Sequence, residues 1–186
     1  VALNYLHKSR DLNIAIETPN TDNKLGRAYW AVGNHVEAEK YFLESIRSAE
    51  IQKDMHLLMD SFVQMALFCQ KQDRVTDREN YIRLIDGLWG EGYQFEYHRG
   101  TLERGLGDYA FEKSEFEDAF KHYTESLVHL GRFTSLPYRE VFRDVSKKIL
   151  ELPSDLVISC SLILRARWDK EPRLKKLHPE VLELIS

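Results

Sequence analysis

Leu25-Gly26-Arg27-Ala28-Tyr29 is followed by Gly33, Ala38, Phe42 and Ser45. The same spacing returns at Leu106-Gly107-Asp108-Tyr109-Ala110, followed by Ser114, Ala119, Tyr123 and Ser126. Agreement nearly position for position marks an internal repeat, and a period of this size means stacked supersecondary units. A weaker copy lies between them at Met65-Ala66, Phe68-Cys69, Asp73, Arg78, Ile82 and Ile85, and a half copy opens the chain at Ala2, Leu6 and Ser9. The marker positions Ala2, Ala38, Arg78 and Ala119 stand 36, 40 and 41 residues apart.

Within each copy the apolar residues recur at helical spacing. Leu57, Leu58, Phe62, Met65, Ala66 and Cys69 follow the three-and-four pattern, as do Phe116, Ala119, Phe120, Tyr123 and Leu127. No segment alternates with a period of two between hairpin turns, so the chain reads as all-α. The five prolines, Pro19, Pro137, Pro153, Pro172 and Pro179, fall where helices can begin. A small residue at Gly26 and Gly107 lets the second helix of a pair approach the first, with Ala38 and Ala119 as the small facing surface. Tyr29, Phe42 and Tyr123 fill the space between helices. A single pair buries only part of its apolar face, so its neighbour must cover the rest.

These residues resemble the tetratricopeptide repeat (TPR), in which Leu-Gly is followed by a Tyr, then Ala, an aromatic and a small residue over 34 positions. The copy at about 19–52 fits well. The Gly107 copy fits except that Ala110 stands where Tyr is usual, and the middle copy has Arg78 where Ala is expected. The longer period resembles LGN-type scaffold proteins and the sensor regions of STAND signalling ATPases and MalT-like regulators. The resemblance implies a right-handed solenoid of antiparallel helix pairs. Its parts are a half repeat at 1–18 and repeats at about 19–58, 59–99 and 100–132, then a degenerate helix pair and C-terminal cap at 133–186. In that tail, Tyr138–Leu150 and Ser154–Trp168 read as helices, the second capped by Ser154 and Asp155 after Pro153, and Glu180–Ile185 as a last short one.

Composition narrows the function. The 186 residues are 43% hydrophobic and 30% charged, with a net charge of -4 and both signs interspersed. That profile suits a globular protein and lacks the basic face that nucleic acid favours. The longest apolar stretch, Leu156 to Leu164, is interrupted by Ser159 and Ser161 and is too short to span a bilayer. Cys69 and Cys160 match no metal spacing and read as reduced, part-buried thiols of a cytoplasmic protein. The chain starts at Val1 inside a repeat, which reads as a piece of a longer protein.

Motifs for chemistry are weak. Gly105-Leu106-Gly107-Asp108-Tyr109-Ala110 matches a dinucleotide fingerprint only formally, because helix rather than strand precedes it. Gly87, Gly90 and Gly92 lack the Lys-Ser/Thr of a phosphate loop and read as a helix end, with Tyr93, Phe95, Tyr97 and His98 packing at the junction. His122 and His129 share a helix face but supply too few ligands for zinc. No nucleophile elbow occurs, and Glu115 and Glu117 read as helix-start charges. No cofactor is implied.

The family resemblance implies instead that the first helix of each pair lines a concave groove. Its outward positions would be Asn23, Arg27, Trp30 and Ala31, then Val63, Leu67, Gln70 and Lys71, then Arg104, Asp108, Phe111 and Glu112. Trp and Arg are enriched where binding energy concentrates. The Lys and Asn positions with which some family members clamp a partner's C-terminal carboxylate are not matched. The expectation is a non-enzymatic module binding a peptide or helix of a partner protein, with no nucleic acid or membrane. The alternative is a ligand-sensing segment of a STAND-type ATPase or transcriptional regulator.

Overall fold

Five joints of nearly the same build set the architecture. In the computed structural model, Gly33 (φ 78°), Lys53 (55°), Asp73 (53°), Gly92 (94°) and Ser114 (62°) occupy the left-handed region, each just past the end of a helix. At four of them the next residue's N–H reaches back to a carbonyl five positions earlier. The pairs are Asn34 to Tyr29 at 2.9 Å, Asp54 to Ala49 at 3.0 Å, Arg74 to Cys69 at 2.9 Å and Glu115 to Ala110 at 2.9 Å. This is the Schellman geometry, which satisfies helix-end carbonyls and turns the chain sharply.

The structure describes residues 4, 6–8, 10, 18–92, 95–131 and 136–169. Among them there is no strand. The helices are α1 (Thr18–Ala31), α2 (His35–Gln52), α3 (Met55–Lys71), α4 (Val75–Gly90), α5 (Glu96–Glu112), α6 (Phe116–Leu130), α7 (Leu136–Leu150) and α8 (Ser154–Asp169). Asn34 and Asp54 cap α2 and α3 by accepting the N–H of Glu37 and Leu57, each cap contributing about 1 kcal/mol. The chain forms two compact units, Val1–Phe95 and Glu96–Ser186.

In the first unit, α1 packs antiparallel to α2 and also alongside α3. A Cβ on Gly26 would lie 2.5 Å from the Phe42 ring, so the absent side chain is what lets these helices touch. Phe42, Ala38, Met65, Phe68 and Cys69 form a fully enclosed cluster, with Trp30, Tyr29, Ile46 and Tyr81 packed around it. The helical residues before α1 are tied down by polar contacts. His7 bonds the Tyr29 hydroxyl at 2.7 Å, and Arg10 bridges Asp22 at 2.9 Å and Glu44 at 2.6 Å. Ala2 and Ser9 lie outside the described residues. Arg78 sits on the fourth residue of α4, as Ala38 does on α2. Its guanidinium leaves the helix contact and donates to Gln70 and Glu79, which is how a large residue fits there.

The second unit repeats the device. A Cβ on Gly107 would lie 2.7 Å from the Tyr123 ring, and Ala119 is fully buried. A second close approach at Gly100 brings Leu130 against α5, and the Gly100 carbonyl accepts the Ser126 hydroxyl at 2.8 Å. His122 and His129, seven apart on α6, both face α5. They pair with Glu103 at 2.7 Å and Glu96 at 2.5 Å. α7 begins two residues before the predicted Tyr138, and α8 runs one past the predicted Trp168. Both pack on α6, α8 through Cys160 against Thr124 at 3.2 Å. The expected helix at Glu180–Ile185 lies outside the described residues.

The glycine cluster near position 90 differs in detail from the expected turn. α4 continues through Gly87 to Gly90, and only Gly92 takes the left-handed turn. Of the nearby aromatics, Phe95 meets His56 and Tyr97 meets His98 edge-on, while Tyr93 lies outside the described residues.

Candidate functional site

The first helix of each pair was expected to line the site, and in the first unit the register of two of them, α1 and α3, is readable. The Asn23 amide donates to the Ser61 hydroxyl at 3.3 Å, and the Trp30 ring meets Phe68 edge-on at 5.7 Å. Both pairs are 38 positions apart, so α1 and α3 run parallel. This packing divides the expected residues. Asn23 is 2% exposed and joins a buried polar cluster in which Ser61 also bonds Ser45 at 2.7 Å. Val63 is fully buried, and Gln70 is buried while accepting from Arg78. These three side chains are turned inward and serve packing. Trp30 is half-buried, its ring also set edge-on to Phe42 at 6.3 Å. Arg27, Ala31 and Lys71 are exposed and Leu67 is half-buried, so they keep surface for a ligand.

In the second unit the corresponding face holds a pocket of about 140 Å³ lined by Asp108, Phe111, Glu112, Tyr123, Lys148 and Glu151. Its construction follows from the repeat. Because Gly107 has no side chain, the Tyr123 ring lies close against α5, and its hydroxyl donates to Asp108 at 2.9 Å. Lys148 on α7 donates to the same carboxylate oxygen at 2.7 Å and stands 3.8 Å from Asp144. Arg104 stands 4.0 Å from the other Asp108 oxygen. Burial raises the Tyr123 pKa well above the ordinary phenol value, and the adjacent Asp108 charge adds to this, so Tyr123 remains a donor. Phe111 forms an apolar wall, packed edge-on to Phe116 at 5.7 Å. Glu112 and Glu151 are exposed at the rim.

Three of the expected third-copy residues, Asp108, Phe111 and Glu112, therefore come together, with Arg104 next to them. Sequence reading missed Lys148 and Glu151 and took Tyr123 for a space-filler alone. The missed signal was the long repeat. α2 and α6 start at His35 and Phe116, and α3 and α7 at Met55 and Leu136, both 81 positions apart. By that offset the pocket residues Asp108, Phe111, Glu112, Tyr123, Lys148 and Glu151 correspond to Arg27, Trp30, Ala31, Phe42, Leu67 and Gln70. At these positions the first unit has Phe42 and Leu67 in place of the Tyr123 hydroxyl and the Lys148 ammonium.

Among the described residues, no group of three or more His, Cys, Asp or Glu is arranged to hold a metal ion. No helix among them is long and apolar enough to cross a membrane. Compared with family models, curated proteins and solved structures, the chain finds no match in any of the three.

Proposed function

We propose that this chain is a TPR-like solenoid module that binds a peptide or helix of a partner protein and carries out no catalysis. The observation that carries the reading is the paired use of one packing device, Gly26 against Phe42 and Gly107 against Tyr123. With it goes a first-and-third-helix face, which in each unit holds polar or part-exposed side chains. In the first unit these are Arg27, Leu67 and Lys71, and in the second the surroundings of Asp108. Repeat proteins use such faces for extended ligands. The pocket around Asp108, about 140 Å³, lies below the roughly 300–1,000 Å³ of small-molecule sites and suits one side chain of a longer ligand.

The test is capture of peptides from a displayed library of random 12-mers. Arg27→Glu with Lys71→Glu is the probe variant, because both side chains are exposed. Trp30 is unsuitable, since its loss would also disturb Phe42 and Phe68. The expected result is at least tenfold weaker capture by the variant with an unchanged thermal melt. Equal capture by both proteins would remove Arg27 and Lys71 from the binding face, and no captured peptide at all would remove the function.

A further inference from the structure

The outward side of α8 carries a stripe that the packing of its own unit does not use. Ile158 and Leu162 are 62% and 61% exposed, and the exposed charges Asp155 and Arg165 stand beyond them at either end. We propose that this stripe is a dimer contact, on which α8 of a second copy of this chain lies antiparallel. The proposal is independent of the peptide-binding reading and stands or falls by itself.

Three observations converge. The first is spacing. Asp155, Ile158, Leu162 and Arg165 follow one another at three, four and three residues, so they share an arc of about 80° and form the seam by which paired helices meet. Cys160 and Leu164, on the opposite side of α8, are buried in the unit. Ser159 and Ala166 border the stripe with small side chains that leave room for a second helix. The Ser159 hydroxyl already donates to the Asp155 carbonyl at 2.9 Å, so covering it strands no donor.

The second observation is the order of the charges. About position 160 the stripe is its own complement. In an antiparallel pair Ile158 meets the partner's Leu162 and Asp155 meets the partner's Arg165. Each contact then occurs twice, as an isologous interface requires. A parallel pair would instead set carboxylate against carboxylate and guanidinium against guanidinium. Neither end charge makes an ion pair among the described residues.

The third observation is the comparison of equivalent helices. α4 and α8 start at Val75 and Ser154, 79 positions apart, and that offset carries the buried Ile85 onto the buried Leu164. By the same offset Ile158 and Leu162 correspond to Glu79 and Arg83, and Arg83 donates to the Glu79 carbonyl at 3.4 Å. The last helix of a unit therefore folds with a charged outer side, and packing does not require the apolar pair on α8. With 16 residues, α8 is about 24 Å long, so one such pairing covers less than the roughly 800 Å² per partner of a stable dimer. The dimer is accordingly weak and forms at roughly 100 μM and above.

The experiment is sedimentation equilibrium of the full chain from about 10 μM to about 1 mM, in about 50 mM salt, where exposed charges are weakly screened. The mass should rise from one chain toward two across that range. Asp155→Arg and Arg165→Asp, each alone, set like charges together at both ends and should weaken association roughly fivefold. The two substitutions combined restore opposite charges and should return association to within about twofold of the parent chain. Leu162→Glu, at an exposed position, should leave far-ultraviolet circular dichroism unchanged and hold the chain monomeric. A single-chain mass at every concentration overturns the proposal and leaves the stripe to residues 170–186 or to a different protein. A dimer that survives Leu162→Glu lies elsewhere and also overturns it. A combined variant as weak as the single ones overturns the antiparallel arrangement. Should Leu162→Glu fail to fold, the charge exchange at the exposed ends decides alone.

Discussion

Replacing Gly26 with alanine would insert one methyl group where α1 meets α2. The new carbon would lie 2.5 and 2.6 Å from two carbons of the Phe42 ring. Ordinary contact lies near 3.5 Å, so the ring must retreat by about 1 Å. Phe42 has no exposed surface and is hemmed in by Trp30 and Phe68 at centroid distances of 6.3 and 6.0 Å. Overpacking of this kind costs about 1–3 kcal/mol. The higher helix propensity of alanine returns up to about 1 kcal/mol, so a net loss of about 1–2 kcal/mol is expected. Gly87 is the internal control. It lies in α4 of the same unit, and a Cβ there would meet nothing within 4 Å. Gly87→Ala should stabilise by about 0.5 kcal/mol, reduced from the mid-helix value because the site is in the last turn. Urea unfolding followed by far-ultraviolet circular dichroism compares the two variants with the parent chain. Opposite signs are the expected outcome. If Gly26→Ala stabilises as Gly87→Ala does, the glycine contact is not what holds the helix pair together.

Tyr123→Phe keeps the ring that Phe42 uses at the equivalent position but removes the donor to Asp108, so unfolding in urea should show a loss of about 1–2 kcal/mol. Burial raises the Asp22 pKa against the opposing pull of Arg10. The folded chain thus holds this proton to higher pH than the unfolded chain, and the contribution of Asp22 to stability falls as pH rises from about 4 through its folded pKa. The stability of Asp22→Asn relative to the parent should accordingly grow across that window and then level off, and a flat or shrinking difference in urea midpoints would contradict the burial argument. Burial pushes the Cys160 thiol up to about 11 and the Cys69 thiol upward as well. A disulfide reagent at pH 8 should label neither until the unit that contains it opens, and labelling within the mixing time would place that thiol at the surface.

The helical pattern carried a great deal of this fold because its signals are local. The three-and-four spacing and the proline before Ser154 located α7 and α8 to within two residues at either end. Gly26 and Gly107 were identified by a motif whose physical requirement, room for a ring, is met at both. Asn23, Val63 and Gln70 were expected on an open face and are buried. Their fate is decided by how α3 lies on α1 and where Arg78 reaches, contacts made between helices. The pocket was half legible for the same reason. Asp108, Phe111 and Glu112 sit on one helix and share a repeat position, whereas Lys148 and Glu151 arrive from 40 residues further on. Joints at Lys53, Asp73 and Ser114 were also hard to read, since left-handed backbone is ordinarily marked by glycine.

Those joints carry a consequence for how such a chain can change length. In the first unit they fall at Gly33, Lys53 and Asp73, twenty residues apart, and each turns the chain back between two helices that pack side by side. Excising two neighbouring helices with their joints leaves the later helices of that unit pointing as before. Excising one helix and one joint inverts the polarity of those that follow within the unit. Growth or loss by even numbers of helices is the route this geometry leaves open inside a unit.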